Sequence, residues 1–179
     1  HAGTPKPLGT RPYIYETSFE YLSGLLALAK NISEINDVKL IIRFRPAAEF
    51  SSETIHLLLP KYKNVELVHG GNFYEDLEKS DMLMSFASTT IEESLYQRKP
   101  VGLYGANSRF WHIDGSKKPP TLKKRSSVYH ISEKNLKHMI TQIKKYHFKK
   151  PLIDEELKKY IWGRKEMGFK KFIKSQIKN

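Results

Sequence analysis

A chain of 179 residues, 39% hydrophobic and 28% charged, is long enough for one domain with its own core and too apolar to be disordered. It contains no cysteine, which excludes disulfides and thiolate metal sites and fits a reducing compartment. A net charge of +12 calls for an anionic partner such as nucleic acid, an anionic membrane surface or a phosphorylated small ligand. No apolar run approaches the ~20 residues needed to span a membrane, and no signal-peptide core is visible. The opening His1-Ala2-Gly3 reads as a cut end, and residues 1–10 as a linker. The basic charge is uneven: it gathers in Lys117-Lys118, Lys123-Lys124-Arg125, Lys144-Lys145, Lys149-Lys150 and the tail from Lys158.

In chain order, short apolar runs alternate with helical patterns. "YIY" (13–15) precedes "FEYLSGLLALAKN" (19–31), in which Leu22, Leu25, Leu26 and Ala29 recur at helical spacing. "VKLIIRF" (38–44) is β-branched and short, which favours a strand. Ser51 and Ser52 then lead into the helical "ETIHLLL". "VELV" (65–68) precedes Asn72, a good N-cap with Glu75 three residues on. "MLMSFA" (82–87) runs into "STTIEES", and "VGLY" (101–104) closes the series.

Five strand–helix alternations with short links predict a Rossmann-like α/β domain over 11–150, a parallel sheet with helices on both faces. Residues 105–127 read as a long basic loop. "SEKNLKHMITQIKKYHF" reads as a capped helix with Leu136, Met139, Ile140 and Ile143 on one face. Residues 151–179 complete the chain as basic C-terminal helices.

In open parallel sheets ligands bind beyond the carboxyl ends of the strands. Those ends carry Thr17 and Ser18, Arg43 and Arg45, His69 with Gly70-Gly71, and Ser88-Thr89-Thr90. Arg43 and Arg45 alternate with Phe44, so both would face one side, where two guanidinium forks suit a diphosphate. Ser88, Thr89 and Thr90 sit where a strand turns into a helix and would hold phosphate. The plainer reading is a helix cap, since Thr89-x-x-Glu92 and Thr90-x-x-Glu93 both match a capping box. Three hydroxyls exceed what a cap needs, and one glutamate can cap while its neighbour points to the sheet crevice, where it would accept hydrogen bonds from a ribose diol. His56 reads as a partly buried packing residue; His112 and Asp114 in the long loop would be within reach of a substrate. No P-loop, dinucleotide-binding glycine motif, nucleophile elbow or metal-ligand spacing is present.

The string "SDMLMSFASTTIEESLYQRKPVGLYG" resembles the C-terminal half of a GT-B fold glycosyltransferase, and is most similar to bacterial surface-polysaccharide enzymes of capsule and lipopolysaccharide synthesis. The matching pieces are Met82 to Ala87, Ser88-Thr89-Thr90, Glu93, and Arg98-Lys99-Pro100-Val101. The resemblance implies a nucleotide-sugar donor as substrate, with phosphate on Ser88, Thr89 and Thr90, ribose on Glu93, and Thr17 and Ser18 facing the diphosphate. It implies no metal or separate cofactor, a glycan or lipid-linked acceptor, and a further N-terminal GT-B domain carrying any catalytic base. It also implies a cytoplasmic location, peripheral to the inner face of the membrane through the basic C-terminus. Some members carry His-Pro where this chain has Arg45-Pro46, which argues against a CMP-linked donor.

Three alternatives stand beside it. A nucleotide-sugar 2-epimerase shares the architecture but expects a His/Asp/Glu set that this sequence does not show. A glycerophosphotransferase using a CDP-linked donor is a near neighbour. A nucleic-acid-binding module would use the +12 charge, but Trp162, Phe169 and Phe172 among the C-terminal lysines are spaced as helical packing residues.

Overall fold

The computed structural model describes residues 18–44, 52–85, 88–104 and 113–160. The expected strand at 13–15, and the sequence candidates Thr17, Arg45 and His112, lie outside the described residues. The elements run α1 (Ser18–Ser33), β1 (Leu40–Phe44), α2 (Ser52–Leu58), β2 (Val65–His69), α3 (Phe73–Lys79), β3 (Leu83–Ser85), α4 (Thr90–Tyr96), β4 (Val101–Tyr104), β5 (Val128–Ile131), α5 (Leu136–His147) and α6 (Asp154–Leu157).

All strand pairs are parallel, as the apolar runs predicted, but among the described residues they form two sheets rather than one. β1 pairs with β2 from Leu40 opposite Val65 to Phe44 opposite His69. The second sheet has the order β3-β4-β5, with Leu83 opposite Val101 and Val101 opposite Val128. The strand series therefore does not close at Tyr104. Val128–Ile131 adds a strand in which all four residues are buried.

Side-chain alternation assigns each face of the three-stranded sheet its helices. Leu83, Val101, Leu103 and Val128 pack with Leu77 of α3, Ile91 and Leu95 of α4, and Leu157 of α6. The alternate positions, with Met84, Tyr104, Tyr129 and Ile131, pack against Leu28 and Ile32 of α1 and Met139, Ile140 and Ile143 of α5. Gly102 lies on this second face because a Cβ there would meet Met84 Sδ at 2.5 Å and Ile131 Cδ1 at 2.8 Å. The buried stripe of α1 is Tyr21, Leu25, Leu28, Ala29 and Ile32. It is shifted from the expected face, and Tyr21, Leu25 and Ala29 of it pack with Ile42 of β1 and Ile55 of α2. A cavity of about 340 Å³ is bounded by residues of both β1 (Leu40, Ile42, Arg43) and β3 (Leu83, Met84, Ser85).

Polar locks gather at the end of the sheet where the strands begin. Arg125, just before β5, pairs with Glu156 through Nε at 2.7 Å and Nη2 at 2.8 Å, and its Nη1 donates to Tyr146 O at 3.1 Å. Both side chains of that pair are largely buried. Arg98 donates to Leu152 O at 2.8 Å and to Asp154 at 2.6 Å. Tyr129 accepts from Ser126 N–H at 2.7 Å, which turns its own proton toward Nε2 of His147 at 2.7 Å. Burial holds His147 down to about 4, and the nearby Arg125 charge adds to the effect. The C-terminal helices expected over 151–179 are represented by α6 and a turn to Tyr160, and later residues lie outside the described set.

Candidate functional site

β2 ends at His69, and Gly70 and Gly71 carry the chain over to α3 with φ of 65° and 71°. Positive φ at two successive residues is why glycine stands at both; space is not the constraint, since nothing lies within 4 Å of a Cβ at Gly70. Asn72 then caps α3, accepting from Tyr74 N–H at 3.0 Å. Its amide also donates to the Glu75 carboxylate at 3.3 Å, a side-chain contact in place of the reciprocal backbone bonds of a capping box.

Arg43 sits under this turn. Its Nε donates to Asp76 at 2.9 Å, and its Nη atoms donate to Asp76 and to the carbonyls of Gly70, Gly71 and Asn72. The guanidinium expected to present a fork to a diphosphate is thus committed to fastening the β2–α3 turn. Arg45, its expected companion, is outside the described residues.

The question raised by the Thr/Glu stretch was whether it is a cap or a site. Thr89 occupies the cap position of α4 with helical angles, φ −60° and ψ −19°, and makes no side-chain cap hydrogen bond. A capping box needs an extended cap residue whose hydroxyl turns back to the helix, and that geometry is absent. Ser88 supplies a long bond instead, its Oγ accepting from Thr90 N–H at 3.3 Å. Thr90 Oγ1 is buried and has no hydrogen-bond partner among the described residues, and the same holds for Ser85 Oγ at the end of β3.

Glu93 does not reach back to the helix start either. Its Oε1 accepts from Tyr74 Oη at 2.9 Å, joining the first turns of α3 and α4. The Glu93 carboxylate, through that bond and its charge, raises the Tyr74 phenol above its ordinary value. Tyr74 remains about half exposed, at 54%.

The structure brings Ser88, Thr89, Thr90 and Glu93 together with Tyr74. Ser18 starts α1, and His69 ends β2 beside Phe44 of β1. The side chains of Ser18 and His69 are not among those described. Among the described residues no group of three or more His, Asp or Glu is arranged to hold a metal ion. His56 is exposed rather than part of the packing, because α2 buries Ile55 and turns its neighbour outward. Asp114 pairs with Lys159 and lies 3.9 Å from His130, on the side of β5 away from β3 in the sheet order. Burial lowers the His130 imidazole, with Asp114 opposing.

Sequence reasoning missed Tyr74, whose signal was only its place two residues after a helix cap. It also missed the role of Lys99. In the Arg98-Lys99-Pro100 turn, Lys99 Nζ donates to the carbonyls of Leu77, Glu78 and Ser80 and so closes the C-terminus of α3.

The arrangement offers hydroxyls that do not serve their own helix and, beside them, a carboxylate bridged to a phenol. Hydroxyls both donate and accept; a carboxylate only accepts, so it selects donors such as a diol. No protein-family model, curated protein or solved structure matches this chain.

Proposed function

We propose that this chain is the donor-binding half of a GT-B fold glycosyltransferase, one that moves a sugar from a nucleotide-sugar to a glycan or lipid-linked acceptor in surface-polysaccharide synthesis. The observation that carries the reading is that neither Thr-x-x-Glu pair forms a capping box. The hydroxyls of Thr89 and Thr90 are left for a ligand, and Glu93 is held across the site by Tyr74 rather than turned to its own helix. Phosphate is held by Ser88, Thr89 and Thr90, and the ribose by Glu93. Arg43 acts through the β2–α3 turn it fastens, and Thr17, Ser18, Arg45 and His69 complete the diphosphate side. The finer fold follows the same reading. The two parallel sheets belong to one Rossmann-like layer, with the cavity bounded by residues of β1 and β3 between them. The catalytic base and acceptor site belong to a second domain, at the cytoplasmic face of a membrane.

Calorimetric titration of the chain with UDP, GDP, CDP and CMP tests this. One nucleotide binds in preference to the others, and Glu93→Ala weakens it about 10- to 100-fold, the worth of a hydrogen bond to a charged group. Preference for CDP would favour the CDP-glycerol type of transfer over a sugar. A folded protein that binds none of the four, or a folded Glu93→Ala variant that binds as tightly as the parent, refutes the assignment.

A further inference from the structure

Two segments far apart in sequence meet where the strands begin. Residues 117–125 and 145–153 contain eight lysines and arginines between them, and neither contains a carboxylate. Arg125 joins them: besides Glu156 and Tyr146 O, it donates to the carbonyls of Lys150 at 3.4 Å and Pro151 at 3.4 Å. That clamp uses up the Arg125 charge. Lys117, Lys118, Lys123, Lys124, Lys149 and Lys150 remain exposed and make no ion pair among the described residues. Of the carboxylates next along the chain, Asp154 pairs with Arg98 and Glu156 with Arg125, which leaves Glu155.

The loop is fixed rather than loose. Pro120 is buried, and the turn that follows is closed by Thr121 N–H to Lys124 O at 2.9 Å and by Lys124 N–H to Thr121 Oγ1 at 3.1 Å. At the tip of that turn stands Leu122, 84% exposed, and Ile153 on the second segment is 51% exposed. An ordered turn that holds an aliphatic side chain in water between two pairs of lysines has a specific chemistry. The lysines match anionic headgroups, and the leucine fits the acyl boundary beneath them.

We infer that this face docks on an anionic lipid surface, with Leu122 entering the headgroup layer and Lys123, Lys124, Lys149 and Lys150 over the phosphates. Nucleic acid would satisfy the lysines but leave Leu122 and Ile153 in water. No exposed aromatic side chain lies in either segment to stack on a base. The leucine gains by leaving water and the lysines by approaching the anionic surface, so the two contributions act together. Arg125 and the 145–153 segment lie at the beginning of β5 and the end of α5, opposite the carboxyl ends of the strands, while Lys117 stands beside β5 near His130. Docking there leaves Ser88, Thr90 and Glu93 uncovered. The inference stands on these segments alone and does not depend on the donor-binding reading.

The test is co-sedimentation of the full chain with vesicles of phosphatidylcholine containing about 30% phosphatidylserine, and with vesicles of phosphatidylcholine alone. The chain partitions onto the anionic vesicles and not onto the neutral ones. Lys123→Glu with Lys124→Glu weakens partition by about 50-fold or more, and Leu122→Asp weakens it by about tenfold or more. Both positions are exposed, so both variants fold, and circular dichroism checks this. Three results would overturn the inference. One is no partition by the folded chain, and another is partition that the double charge reversal leaves unchanged. The third is loss on charge reversal but not in Leu122→Asp, with equal binding to a DNA duplex, which would assign the face to nucleic acid.

Discussion

Acidifying the solution from about pH 7 to about pH 5 protonates His147 in the unfolded chain but leaves it neutral in the folded one. The imidazole is 2% exposed, and its Nε2 receives the Tyr129 hydroxyl at 2.7 Å. Burial first, and the Arg125 charge second, hold it down to about 4 against an ordinary 6.5. The folded value is depressed, so the unfolded state binds more protons at any pH below about 6.5, and stability falls as pH falls. The loss is fully absent at neutral pH, about 2 kcal/mol near pH 5, and about 3 kcal/mol near pH 4, where the folded state begins to titrate as well. Carboxylates contribute their own slope in this range, so the difference between parent and His147→Gln isolates the imidazole. Glutamine keeps an acceptor for Tyr129 and has no proton to gain. Urea unfolding at a series of pH values checks it: the variant is less stable at neutral pH, and the gap narrows or reverses near pH 5. Parallel stability curves for the two proteins down to about pH 4.5 would refute the burial argument.

Two further expectations concern single side chains. Lys99→Met keeps the aliphatic stem but leaves the carbonyls of Leu77, Glu78 and Ser80 without their donor. It should cost about 1–3 kcal/mol in urea unfolding without altering nucleotide binding. Thr90→Val replaces a buried hydroxyl, without a partner among the described residues, by a methyl group of similar size. It should leave stability unchanged or raise it by up to about 1 kcal/mol, while weakening nucleotide binding in the titration described above.

What was legible in the sequence was whatever depends on neighbours along the chain. "VKLIIRF", "VELV", "MLMSFA" and "VGLY" each contain a parallel strand, the latter two because buried strands are apolar, the first two despite the half-exposed pair of Lys39, just before β1, with Glu66 of β2. The cap at Asn72 is a local rule and stands where its residue type placed it. Val128–Ile131 was missed because its four residues stand behind a stretch of lysines and prolines that reads as loop, and the ladder to β4 that defines the strand is non-local. The buried face of α1 came out shifted, since Tyr21 and Ile32 belong to it and their partners lie on β1, α2 and α5. At the site, Thr89-x-x-Glu92 gave a true local motif whose local outcome did not occur. Ser88 took the backbone donor, and Tyr74, 19 residues earlier, took Glu93.

Cationic locks and unpartnered hydroxyls divide between the two ends of the sheet, with the buried Nδ1 of His147, which has no partner among the described residues, as the exception where the strands begin. Where the strands begin, Arg98, Lys99 and Arg125 each satisfy two or more backbone carbonyls or carboxylates. Truncating any of them leaves acceptors stranded, so that end carries stability. Where the strands finish, Ser85 and Thr90 bury hydroxyls without partners among the described residues, and Thr89 declines the cap its sequence offers. Each buried unsatisfied hydroxyl costs free energy in the chain by itself, and such groups are expected where a ligand completes the bonding. The pair of variants above turns this asymmetry into a measurement. Lys99→Met should lower stability and spare binding, and Thr90→Val should spare or raise stability and lower binding. If Thr90→Val instead destabilises the chain, its hydroxyl is part of the fold's own bonding and the carboxyl end of β3 holds no ligand through it.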